Sequence, residues 1–66
     1  MLTNEEKEVL ILLGQGETQK YIGEKMKISN YRLHRIRDSF VKKLEARNQV
    51  HAVYLALSQG LIEIPD

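Results

Sequence analysis

The chemistry-bearing residues of this chain crowd into one short stretch. Tyr31, Arg32, His34, Arg35, Asp38, Ser39, Lys42 and Lys43 follow one another within thirteen positions, and with Arg37 the stretch holds five Lys/Arg against one Asp. At about 100° per residue, Leu33, Ile36, Phe40 and Leu44 form one apolar stripe with Val41 at its edge. Tyr31, Arg35, Asp38, Ser39 and Lys42 then fall on the opposite face, flanked by Arg32, His34 and Lys43. A guanidinium fork matches a pair of acceptors, an ammonium is a point charge for phosphate, and a carboxylate accepts from amino groups. A helix armed in this way suits a polyanion whose edges carry donors and acceptors. Double-stranded DNA answers that description.

Charge distribution agrees. From Thr18 to Arg47 there are nine Lys/Arg and three acids (Glu24, Asp38, Glu45), a balance of +6. The remainder carries Lys7 against six acids, a balance of −5, so a formal net charge of +1 conceals a polarised molecule.

The elements that would position this face are short helices. Sixty-six residues make one small domain, 1–66, whose thin stability margin must come from capping, packing and association, because no cysteine is present. No apolar run is long enough for a membrane span, and the acidic opening MLTNEEKE is unlike a basic secretory leader. A cytoplasmic, membrane-free location is the expectation.

Four helices are expected, at about 4–13, 19–26, 30–44 and 49–59. Thr3 and Glu6 have capping-box spacing, Glu5, Glu6 and Glu8 are expected as solvated helix-start residues, and Val9, Leu10, Leu12 and Leu13 supply the inner stripe before Gly14-Gln15-Gly16. Thr18 caps a second helix with Ile22 and Met26 inside. Gly23 within it is expected to mark the close approach of the second and third helices. Lys27-Ile28-Ser29 makes the turn, Ile28 plugging the core and Ser29 capping the third helix. A short helix, a three-residue break and a longer basic helix have the form of a helix-turn-helix.

Asn48 caps the fourth segment, which ends at Gly60 with Leu61 expected to fold back on the last turn. Ala52 to Leu57 is apolar almost all the way round. One side faces the core; the other suits a second copy, through Val50, Val53, Tyr54 and Leu57, or belongs to a monomer with an apolar surface helix. Glu63 to Asp66 is a short acidic tail.

From Leu2 to Ile62 the chain resembles the DNA-binding domain of the LuxR/GerE type of bacterial transcription regulators. The resemblance rests on Leu2-Thr3 with Glu6, Glu8, Val9 and Leu10; on Gly16, Thr18, Gln19, Lys20 and Ile22; on Ile28-Ser29, Leu33, Phe40 and Lys43-Leu44; and on Asn48, Ala52-Val53, Ala56 and Gly60-Leu61-Ile62. It implies an all-α, four-helix domain that binds double-stranded DNA as a homodimer, with the third helix in the major groove and the fourth pairing with its counterpart. It also implies phosphate contacts from Thr18, Gln19 and Lys20 and from Lys43 with Lys42 beside it, and base-facing positions at His34, Arg35 and Asp38. Tyr31 and Arg32 complete the expected DNA-binding set. The chain departs from the family pattern at Arg32-Leu33-His34, Ile36, Asp38 and Gln49. Leu33, Arg35, Arg37 and Lys43-Leu44 are also similar to the last helix of sigma-factor region 4.

A transcriptional regulator that reads DNA sequence is therefore the expected function. The alternative is a helix-turn-helix module that binds RNA polymerase or another regulator. An enzyme is not expected: His34 and His51 lie on different helices with no thiol or clustered carboxylates, and the glycines do not form a phosphate-cradling motif. No cofactor or metal is expected.

Overall fold

A computed structural model describes residues 1–65; of the acidic tail, Asp66 lies outside the described residues. The described residues form four α-helices and no strand: α1 (Asn4–Gly14), α2 (Gln19–Met26), α3 (Asn30–Lys43) and α4 (Gln49–Ser58). The helix starts follow from short polar side chains. Thr3, Thr18, Ser29 and Asn48 each hold extended backbone and accept a hydrogen bond from the N–H three residues on, at Glu6, Tyr21, Arg32 and His51.

The helix ends share one device. A residue with positive φ follows each helix, at Gly16, Lys27, Glu45 and Gly60. The next N–H then reaches back to a carbonyl five residues earlier: Glu17 to Leu12, Ile28 to Gly23, Ala46 to Val41 and Leu61 to Ala56. This reverse turn satisfies carbonyls that a helix end leaves unpaired. It also makes three- to five-residue links sufficient between elements. The last turns place the ends of α1 at Gly14, α3 at Lys43 and α4 at Ser58.

Phe40, Leu10, Ile22, Leu33 and Val9 are the largest fully buried side chains. Leu2 and Ile62 close the core from the two ends of the chain. α1 lies against α3 and α4, and α2 against α3. The buried face of α4 consists of Ala52 and Ala56, whose small side chains let its backbone approach the core closely.

Leu61 folds back on the last turn as expected, its N–H bonded to the Ala56 carbonyl, while its side chain stays partly exposed and Ile62 enters the core. Two local expectations need correction. Gly23 is tight against the turn rather than against α3: a Cβ there would meet the Ile28 carbonyl oxygen at 3.3 Å. Glu6 is not a solvated helix-start residue but is buried.

Lys27 and Glu45 occupy the left-handed region at φ 57° and 56°, where a Cβ crowds the following carbonyl. Glu45 stands in the α3–α4 link, away from the outer face of α3. Glu45→Gly is expected to stabilise the domain by about 0.5–1 kcal/mol, the relief of strain being partly offset by a freer unfolded chain. Urea unfolding followed by circular dichroism should show a higher midpoint at unchanged slope.

Candidate nucleic-acid interface

The apolar stripe of α3, with Leu33, Ile36 and Phe40 buried, fixes which way the opposite face points. Tyr31, Arg35, Asp38 and Lys42 are all exposed there, at intervals of four, three and four residues. They line one open notch together with Ser39. The Arg35 Nη1 donates to the Tyr31 hydroxyl at 3.1 Å, and the guanidinium stands 5.8 Å from the Tyr31 ring centre. This pair stiffens a long side chain while using one of its five N–H donors.

The flank toward α2 is built from His34, Gln19 and Arg37. Arg37 Nη2 stands 2.7 Å from His34 Nδ1, and the Gln19 amide 3.4 Å from His34 Nε2. A guanidinium and an amide NH2 both only donate, and an imidazole offers one acceptor nitrogen at most, so just one of these two contacts can be a hydrogen bond. Gln19 at the start of α2 thus lies beside the exposed face of α3. Thr18 spends its hydroxyl as acceptor for the Tyr21 N–H, and Lys20 projects into solvent. Both sit at the positive end of the α2 dipole, which favours an anion.

The flank toward α1 is different. Arg32 makes two bonds to Glu5, at 2.6 and 3.3 Å. Lys43 donates to Glu6 Oε1 at 2.9 Å and to the Met1 carbonyl at 3.1 Å. Ser39 donates to Glu6 Oε2 at 2.5 Å, so its side chain turns to α1 and not outward with Arg35. Glu6 also accepts the Thr3 N–H at 2.8 Å, completing the capping box. Burial by itself would raise the Glu6 carboxyl. The bonds from Ser39, the Thr3 N–H and Lys43, with the Lys43 charge, outweigh it and hold the group down at about 2. Arg32 and Lys43 are therefore committed within the protein, each keeping at least one N–H unspent.

On α4, Val50, Tyr54 and Leu57 form one exposed apolar stripe at intervals of four and three residues, with half-buried Val53 beside it. Val50 is 73% and Tyr54 64% exposed, so the stripe contributes little to the core of the single chain. Leu13, Gly14 and Gly16 of α1 and its end form the other wall of a shallow groove along it. His51 stacks on Tyr54 with ring centres 6.4 Å apart. Among the described residues no helix is long and apolar enough to cross a membrane.

Residues 1–56 match the model of the luxR family of bacterial regulatory proteins (GerE). The chain belongs to that family. The transcriptional activator protein SolR of Ralstonia solanacearum is 39% identical over 62 residues, which are 94% of this chain and 26% of SolR. The chain thus spans about a quarter of the length of that curated relative. The luxR family is one of regulators and not of enzymes, in keeping with a molecule whose functional groups lie on an open face. Within this luxR-family domain Tyr31, Arg35, Asp38 and Lys42 share one side, as the helical period predicts. The partners of the flanks are not encoded in that period. The His34–Arg37 pair has a visible i, i+3 spacing, whereas Glu5 and Glu6 meet α3 only through tertiary packing.

The Glu6 carboxyl lies below its unfolded value of about 4.5, so its contribution to stability is present above that pH and is lost as pH falls toward about 2. The depression corresponds to about 3 kcal/mol. Acid titration of the unfolding free energy should show that loss between about pH 5 and pH 2 in the parent. Glu6→Gln should be less stable at pH 7, and its acid-dependent loss should be smaller.

Proposed function

We propose that this chain is a single DNA-reading domain, 1–66, of a transcriptional regulator, with α3 in the major groove of double-stranded DNA. The observation that carries this reading is the exposed Tyr31–Arg35–Asp38–Lys42 stripe, backed by a buried apolar stripe on a helix anchored from both sides. Membership in a family of regulators and likeness to a transcriptional activator support it. Phosphate oxygens are bound by Thr18, Gln19 and Lys20 at the start of α2 and by Lys42, with the unspent donors of Arg32 and Lys43 at the other edge. Counterion release by these cations supplies much of the affinity and makes it fall with salt. Tyr31, His34, Arg35 and Asp38 face the base edges, where Arg35 is suited to the paired acceptors of guanine.

The α4 stripe of Val50, Val53, Tyr54 and Leu57 joins two copies. A two-fold dimer places two α3 helices on half-sites about 34–36 Å apart, so the site is a pseudo-palindrome. The cytoplasm is the compartment in which such a regulator works. A second reading, a module that docks on RNA polymerase or another regulator, draws on Asp38 and on the two α3 cations occupied by Glu5 and Glu6.

Retardation separates the two readings, and variants test the residue roles. Retardation of mixed genomic fragments at low salt, lost as salt rises, is expected; no retardation would favour the protein-docking module. In binding-site selection, Arg35→Ala should lose roughly 1–3 kcal/mol of discrimination at one base per half-site. Lys20→Ala should weaken all sequences alike and lower the salt slope by about one. Selection unchanged by Arg35→Ala would show that the groove assignment is wrong. Tyr54→Glu, on an exposed side chain, should leave the helical signal intact and shift sedimentation from dimer to monomer. A dimer that survives it would place the contact elsewhere.

A further inference from the structure

Asp38 is the one acid on the outward face of α3, and among the described residues its side chain takes part in no ion pair. It is exposed, and it has cations at Arg35, Arg37 and Lys42 within one turn of the helix. Even so, the ion pairs among the described residues are Arg32–Glu5 and Lys43–Glu6, and neither involves Asp38. Arg35 turns to Tyr31, and Arg37 to His34. The Asp38 carboxylate is left as a bare acceptor between two donors in the notch lined by Tyr31, Arg35, Asp38, Ser39 and Lys42.

Resting on the groove reading above, we propose that Arg35 and Asp38 act as one unit that selects a guanine and a cytosine within two base pairs of each other in each half-site. A carboxylate has only acceptors to offer, and the major-groove edge presents amino donors on cytosine and adenine alone. Adenine sets its donor next to the N7 acceptor, which repels the second carboxylate oxygen. Cytosine carries no such neighbour on its own edge. Arg35 has the opposite requirement, two acceptors side by side, which guanine meets and adenine does not. Asp38 follows Arg35 by three positions, about 4.5 Å along the helix axis, against a base-pair rise of about 3.4 Å. That spacing keeps both contacts within two base pairs.

The same carboxylate works against every other sequence. Where no amino donor faces it, Asp38 stands unpaired close to phosphates and repels them. Discrimination then comes from a penalty on the wrong site as well as a gain on the right one. Such an acid lowers affinity for DNA at large and raises the ratio between specific and general binding.

The test is selection from random duplexes with this chain, Asp38→Ala and Arg35→Ala, alongside affinities on an unselected duplex. The parent should enrich a guanine and a cytosine within two base pairs of each other. Asp38→Ala should lose roughly ten-fold of the preference for cytosine, keep the preference for guanine, and bind the unselected duplex several-fold more tightly. Arg35→Ala should do the converse for guanine and keep the cytosine. A cytosine preference unchanged in Asp38→Ala, or an equal gain by that variant on selected and unselected duplexes, overturns the inference while leaving DNA binding standing. If the parent retains no duplex at low salt, the groove reading fails and this inference fails with it.

Discussion

The buried Glu6 carboxylate joins the two ends of the domain's logic. One oxygen accepts the Thr3 N–H and Lys43 Nζ, and the other accepts the Ser39 hydroxyl. A buried carboxylate without partners would cost several kcal/mol, so each bond is required once the group is inside. The start of α1 and the last turns of α3 are thereby held in one arrangement. The orientation of α3, and with it everything that its outer face can do, depends on this anchor and on Phe40, Leu33 and Ile36 beneath it.

Anchoring divides the cations of α3 by role. Arg32 and Lys43 face α1 and neutralise its acids, while Lys42 stands away from any carboxylate partner among the described residues. Arg35 lies between these extremes, steadied by Tyr31 without losing charge to an acid. A stiffened guanidinium loses less conformational entropy on meeting its target than a free one. The polarised charge of the chain is in this way sharpened by the fold into an exposed basic face of α3 with one neutralised flank.

The economy of the domain lies in its helix ends. The described residues hold four helices because every start has a polar cap and every stop has a tight reversal. Lys27 and Glu45 accept left-handed backbone to keep those reversals short. The consequence is a small core with one apolar stripe of α4 left over. A domain of this size gains stability from covering such a stripe.

Much of the architecture was legible in the chain itself. Caps at Thr3, Thr18, Ser29 and Asn48, the 3.6-residue rhythm of Leu33, Ile36 and Phe40, and the reversal at Gly60 are local properties, set by side chains within a few positions. From them come the four helices, the helix-turn-helix order and the exposed Tyr31–Arg35–Asp38–Lys42 face. What only the tertiary structure decided are the partners across helices: Glu5 on Arg32, Glu6 on Ser39 and Lys43, Gln19 beside His34, and the entry of Ile62 into the core. Residues 27 to 37 positions apart meet through the crossing of α1 and α3. No periodicity encodes such a meeting. Glu6 shows why: its spacing from Thr3 reads as a solvated capping box, and burial beneath α3 turns the same carboxylate into the anchor of the site.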